Sequence, residues 1–374
     1  MANTSLRARA VVTPHGVLGP STVEVRDGRI AMVRPAHGRV PDLTLVPGFV
    51  DLQVNGVGSI HVASADTDEA WSMIGRSQLG AGTTTWFPTV TTREVEEYPA
   101  ILERITAAAA RSARPESQPA EFPLLADIPG AHLEGPFLGE RPGAHPTELI
   151  RPIEQGFISD LPDIVKLMTL APEVDGAVEA TRALVDRGVR VAIGHTGANE
   201  EQLEAVRQAG ASLVTHLFNA MTGVSHRDPG VAAWALVNDA ISTSVIADLH
   251  HVSLRVLQIA LRCKPPQTVI AVTDAVAHLS QGLEDGGSGR PAHLPDGTIA
   301  GSTITMDGCY RNLRLAGASA VEATLATSTN PAALMGLADR GAIVAGLRAD
   351  LVALDPRETV IGVWRCGEPT FPSG

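Results

Sequence analysis

Aromatic side chains make up only 3% of this 374-residue sequence, so its core cannot rest on stacked rings and must be filled by Ala, Val and Leu. Cysteine is equally scarce. Cys263, Cys309 and Cys366 lie far apart with no CxxC pair, which excludes a disulfide framework and reads as reduced thiols in a reducing compartment. Positive charge is also short. The 29 Lys and Arg against 41 Asp and Glu leave a formal net charge of -12, which argues against a nucleic-acid or anionic-membrane partner. An anionic substrate would therefore need its own local cationic pocket. No apolar run is long enough to span a bilayer, and no targeting signal is visible in the opening MANTSLRARAVV. The cytoplasm is the expected compartment.

What is present is a globular balance, 44% hydrophobic and 19% charged, with enough apolar material for a large core. Glycine (36) and proline (26) are plentiful, which suits many tight loops. The length fits a barrel enzyme with a small appendage. Residues 6–12, 21–26 and 30–33 alternate like short strands, and Asp27-Gly28 between the last two is a hairpin turn signal. Short strands return at residues 351–354 and 359–364. The sequence thus predicts a small β-sandwich domain built from both termini, residues 1–45 plus 341–374, around a larger unit at 46–340.

That larger unit has a different rhythm. Apolar runs of strand length fall at residues 45–54, 83–90, 124–133, 165–170, 189–195, 211–216, 242–248 and 268–274. Helical stretches lie between them, such as GAVEATRALVDRG at 176–188 and EEQLEAVRQAG at 200–210, each closed by a glycine suited to a helix end. Eight strands alternating with helices predict an α/β fold, a (β/α)8 TIM-like barrel, with an open doubly wound sheet as the alternative. The Gly-, Asp- and Pro-rich stretch 280–297 reads as a lid or a disordered loop.

Polar residues stand where these strands stop: His132 and Glu134 at the third, His195 at the fifth, His216 at the sixth, Asp274 at the eighth. Strand C-termini of a barrel converge on one mouth, so these groups can face one another. One carboxylate with two imidazoles is a common ligand set for a catalytic divalent metal, with a position left for water. Asp274 is placed to take a proton from that water and return it to a leaving amine. A single histidine at a strand end is more often a hydrogen-bonded structural group. Five acid or imidazole groups at the ends of four strands favour a metal site. His15, His37, His61 and His226 are expected in loops with no special role.

In order along the chain stand PGFVDLQVNG (47–56), GAHLEGPFLGERPGAHP (130–146), TLAPE (169–173), GHTGA (194–198), THLFNAM (215–221), HRDPG (226–230), VTDA (272–275) and AGSTITM (300–306). Together they resemble the N-acetylglucosamine-6-phosphate deacetylases, a branch of the amidohydrolase superfamily, over residues 45 to 335. HLEGPF with THLFNAM is specific to that branch. Many amidohydrolases end their first strand in His-x-His; here Gln53 and Asn55 hold those positions, and amides are poor metal ligands. The resemblance therefore implies one divalent metal ion, Zn2+ first with Fe2+ or Mn2+ as alternatives, held by Glu134, His195 and His216, with Gln53 near the bound water.

It also implies Asp274 as the catalytic acid and base, in hydrolysis of the acetamide of a phosphorylated N-acetyl amino sugar. The substrate-binding set it implies is Ala144 and His145 near the acetamido group, Asn219 and Ala220 at the phosphate, His251 at phosphate or sugar, and Ile299, Ala300 and Gly301 on the sugar side. Arg227 in HRDPG resembles an arginine that reaches the phosphate of a neighbouring subunit, which implies a homodimer. Two departures stand out. Residues 275–300 are shorter than the family pattern and lack its tyrosine-bearing hairpin, and DLHHV replaces Asp-Gly-x-His-Val. An amidohydrolase for a related N-acyl amino-sugar phosphate, or an inactive sugar-phosphate-binding relative, stays open beside the first reading.

Overall fold

The chain passes between its two sheet systems within one apolar run. Residues 45–54, expected as one strand, are two: Thr44–Pro47 and Phe49–Val54, broken at Gly48. A Cβ at Gly48 would collide with the Thr84 side chain, so only glycine lets the backbone change sheets there. The computed structural model describes residues 3–113, 124–280, 282–284, 286 and 289–370.

Phe49–Val54 opens a parallel sheet of eight strands whose neighbours follow chain order. The other seven are Thr83–Thr91, Ala131–Glu134, Val165–Leu170, Arg190–Ile193, Leu213–Val214, Ser242–Ile246 and Val269–Val272. Each lies within an expected run except at its ends, and residues 124–130 carry no strand. The expected barrel is therefore the fold; an open doubly wound sheet would reverse strand order partway. Closure is confined to the C-terminal end of the seam, where Asp274 N–H donates to Gln53 O (3.0 Å) and Asn55 N–H to Ala275 O (2.8 Å). Lower down, a π-helical turn, Leu325–Thr329, packs against both the first and the eighth strand. Strands covered on both faces must be apolar throughout, which is why the runs read as continuous rather than alternating.

Helices Ala177–Asp186 and Glu200–Gln208 lie where expected, and Gly188 and Gly210 take positive φ just beyond them. Asn199 and Gln202 form a reciprocal capping box that fixes where the second begins. No helix among the described residues is long and apolar enough to cross a membrane.

Both termini build two further sheets. One contains Thr4–Ala8, Ser21–Arg26 and Arg29–Pro35, with Asp27 and Gly28 both at positive φ, as a two-residue hairpin turn requires. The other runs Glu368–Pro369, Val360–Arg365, Leu351–Leu354, Thr44–Pro47, Ala10–Thr13, Gly16–Leu18, three strands from the C-terminal end joined to three from the N-terminal end. Val23, Val25 and Ile30 of the first sheet pack on Val11, Leu45 and Leu351 of the second, so the two sheets share one core. The stretch 6–12, expected as one strand, is split at Arg9.

A buried ionic cluster ties these sheets to the base of the barrel. Asp127 accepts from Arg340 (2.5 Å) and Arg348 (2.8 Å), and Arg365 stands 3.2 Å from its other oxygen. Arg348 also pairs with Asp350, and Arg365 donates to Leu125 O (2.7 Å) and Ser112 O (2.6 Å). The three guanidiniums hold Asp127 at about 2 against the rise that burial alone would impose.

In segment 280–297, positions 281, 285, 287 and 288 lie outside the described residues. The rest is not an open loop: Ala292–His293 pairs with Ile299–Gly301, and Glu284 bridges His293. A short hairpin thus stands where the sequence suggested none.

Candidate active site

His132 and Glu134 lie two residues apart on the third strand and so face the same side, the barrel interior. His132 is the deeper. Its Nε2 meets Thr169 Oγ1 at 2.8 Å, and burial pushes the imidazole down to about 4. It is a neutral structural group and takes no part in the cluster above it.

Glu134 is the centre of that cluster. Its Oε1 is met by His195 Nε2 at 3.0 Å, His216 Nε2 at 2.9 Å and Gln53 Nε2 at 2.9 Å, and the two imidazole nitrogens are 3.0 Å apart. Burial would raise the Glu134 carboxyl, but the two histidines outweigh it and hold it well below the usual range. His195 Nδ1 faces Pro142 O at 3.0 Å, which puts its proton there and leaves Nε2 bare toward the cluster.

Asp274, at the end of the eighth strand, is joined to Glu134 through Gln53, whose Nε2 also donates to Asp274 Oδ1 (3.1 Å). Asn55 Nδ2 donates to the same oxygen at 2.6 Å. Burial, then the negative charge of Glu134, pushes the Asp274 carboxyl well above its ordinary value. His195, His216 and Asp274 all have positive φ, at 52°, 32° and 49°. Non-glycine residues rarely hold such angles unless the surrounding fold imposes them, and they cluster at functional sites.

The cluster forms the floor of a pocket of about 400 Å³. Ala144, His145, Asn219, Ala220, His251, Ile299, Ala300 and Gly301 all line it, so the structure gathers nearly every sequence-predicted contact. Gln53 lies behind the lining, reached through the two carboxylates. Arg227 is the exception: it is exposed and does not line this pocket. His251 is held by Asp248, which accepts from its Nδ1 at 2.7 Å and from its backbone N–H at 2.8 Å.

Several residues in or behind the pocket lining were missed. His61, expected in a loop without a role, lines the pocket with its Nε2 2.8 Å from Ser280 Oγ. Leu283 and Leu294 roof the pocket from the short hairpin. Thr92 positions His145: its backbone N–H donates to Nδ1 (3.3 Å) and its hydroxyl lies 2.8 Å from the same atom. None of these left a trace in the sequence, unlike Asp248, whose Asp-x-x-His spacing to His251 lies within DLHHV.

Two overlapping sets could hold a metal ion. Glu134, His145 and His195 offer ligand atoms all within 4.8 Å of one another. Glu134, His195 and His216 form a tighter triangle, with edges from 2.9 to 3.0 Å. His145 Nε2 stands farther off, 3.8 Å from Glu134 Oε2. The chemistry of the floor fits a divalent cation. Two buried carboxylates meet there with no Lys or Arg beside them among the described contacts, while burial disfavours the charged form of His216.

The amidohydrolase family model matches residues 44–371. N-acetylgalactosamine-6-phosphate deacetylase of Escherichia coli O157:H7 is 31% identical over 97% of this chain and 98% of its own length. N-acetylglucosamine-6-phosphate deacetylase of Mus musculus is 34% identical over 98% and 92%. Among solved structures, an aspartate-to-alanine variant of N-acetyl-D-glucosamine-6-phosphate deacetylase from Mycobacterium smegmatis, in complex with N-acetyl-D-glucosamine-6-phosphate, superposes with a TM-score of 0.88. It is 30% identical and covers 99% of this chain and 100% of that one.

Proposed function

The chain belongs to the amidohydrolase family, and from that premise we propose that it hydrolyses the acetamide of N-acetylglucosamine 6-phosphate to glucosamine 6-phosphate and acetate. The observation that carries this reading is the convergence of His195, His216 and Gln53 on one oxygen of Glu134, with Asp274 linked to the same amide. Bound by Glu134, His195 and His216, a divalent cation (zinc first, iron or manganese as alternatives) would supply Lewis-acid polarisation and lower the pKa of a water toward neutrality.

The chain's own groups do the rest. Asp274 takes the proton of the attacking water and later gives it to the departing sugar nitrogen. Its raised pKa has the direction required of a group that must both gain and lose a proton near neutrality. Gln53 and Asn55 aim that carboxylate. Because Thr92 N–H donates to His145 Nδ1, the ring's proton belongs on Nε2, turned toward the cluster. There it donates to the oxyanion that develops on the acetyl group. Ala144 lies beside it.

Asn219, Ala220 and His251 receive the phosphate and use its binding energy for orientation. Ile299, Ala300 and Gly301 meet the sugar. Arg227 lies outside its own pocket, on the exposed segment that also shows Val224 63% exposed, and so is free to serve the pocket of a second copy in a homodimer. Three unpaired thiols suit a cytoplasmic enzyme.

Acetate release from N-acetylglucosamine 6-phosphate, beside the unphosphorylated sugar and before and after chelation, tests the reading. The expected result is turnover of the phosphorylated sugar alone, abolished by chelator and restored by a divalent cation. No release from metal-replete protein would overturn it in favour of an inactive sugar-phosphate binder.

A second reading, deacetylation of the galactosamine epimer, is favoured by the apolar roof of Leu283, Leu294 and Ile299. Apolar walls discriminate weakly against a repositioned hydroxyl, whereas a hydrogen-bonded one can be read by several orders of magnitude. Comparing kcat/KM for the two epimers separates the readings.

A further inference from the structure

Glu173, in the loop after the fourth barrel strand, has no part in the chemistry above, yet its carboxylate ties three segments of the mouth together. Oε1 accepts from Gly197 N–H at 2.9 Å and Glu140 N–H at 3.3 Å, and Oε2 accepts from the Thr196 hydroxyl. Two of these partners directly follow His195, the residue held at φ 52°. The third opens the stretch that carries Pro142, whose carbonyl fixes the proton of His195 on Nδ1. Gly139 N–H closes the loop by donating to His195 O (2.9 Å). The backbone on both sides of the His195 ring is thus fastened to one side chain. Gly139 is itself shaped to it, since a Cβ there would run into the Glu173 carboxylate.

We propose that Glu173 is a positioning residue that holds the strained turn at His195, and thereby sets the direction of its Nε2 toward the metal. Groups one step behind a ligand typically contribute 10- to 100-fold in metal affinity. What matters here is an acceptor at Oε1 rather than charge, because two of the three bonds come from backbone N–H groups. Glu173→Gln keeps that acceptor; Glu173→Ala removes it.

The inference rests on the one-cation reading proposed above, so the test starts from the metal alone. Zinc affinity of the apo-protein is measured by competition with a chromophoric chelator for wild type, Glu173→Ala, Glu173→Gln and Gly139→Ala. Glu173→Ala is expected to weaken zinc about 10- to 100-fold, and Glu173→Gln to recover most of the loss. Gly139→Ala, which displaces the carboxylate without removing it, should weaken zinc in the same direction and serves if Glu173→Ala fails to fold. In turnover of N-acetylglucosamine 6-phosphate at saturating zinc, kcat falls while KM is little changed. Zinc affinity in Glu173→Ala or Gly139→Ala equal to wild type would overturn the inference, as would a Glu173→Gln loss as deep as that of alanine. Failure of the wild type to bind a divalent metal would overturn the one-cation reading and this inference with it.

Discussion

The molecule buries two clusters of charge, one at each end of its barrel, and they are built on opposite plans. At the base, Asp127, Arg340, Arg348, Arg365 and Asp350 face one another with opposite signs paired directly. At the mouth, Glu134 and Asp274 share a neutral amide, and burial disfavours the cationic form of His216 and His145 beside them. The base is satisfied by its own side chains. The mouth pairs its two carboxylates with amides and imidazoles rather than with a Lys or Arg among the described contacts. A cluster that balances itself fixes how the terminal sheets sit on the barrel; a cluster left acidic is one that could hold a cation.

The sharpest way to break the contrast is at Asp274. Asp274→Asn should lower turnover by about 10²- to 10⁴-fold while the metal content stays that of wild type, measured by acetate release and elemental analysis. A variant that kept its activity would remove Asp274 from proton transfer.

The matching change at the base, Asp127→Asn, should act on stability instead. It leaves three buried guanidiniums without their shared carboxylate, a loss on the order of 3 to 5 kcal/mol, read by urea unfolding. Activity per folded molecule should be retained. An equal loss of activity at unchanged stability would erase the distinction between the clusters.

Acid gives the smallest effect. Asp127 is held at about 2, below its ordinary 3.8. Its stabilisation is therefore present above the unfolded value and lost as pH falls from about 4 through 2, roughly 2 kcal/mol in all. Asp127→Asn should abolish that component of the acid limb in a pH series of unfolding midpoints.

The same contrast explains what could be read from the sequence. The mouth was legible because barrel strands buried on both faces are continuous apolar runs, so a polar residue at a run's end stands out; Glu134, His195, His216 and Asp274 were all found that way. The base was not. Asp127 lies in a stretch that the apolar pattern extended into the third strand, and its partners are more than two hundred residues away. The break at Gly48 was invisible because the apolar pattern continues while the sheet changes. His61 was missed because a small two-stranded loop, pairing Gly56–Val57 with Ile60–His61, carries it to the pocket. Glu173 lies within TLAPE, but nothing in that motif tells that its carboxylate accepts from two backbone N–H groups and a hydroxyl of other segments.

The left-handed backbone at His195, His216 and Asp274 bears on how the protein can be improved. At such angles glycine is more comfortable than any branched side chain. A library selected for heat resistance alone would tend to relax these three positions first, and each gain in robustness would delete a proposed ligand or the proposed proton carrier. Robustness and chemistry are thus opposed at three identifiable sites, and a thermostabilising campaign should hold those codons fixed while it varies the rest.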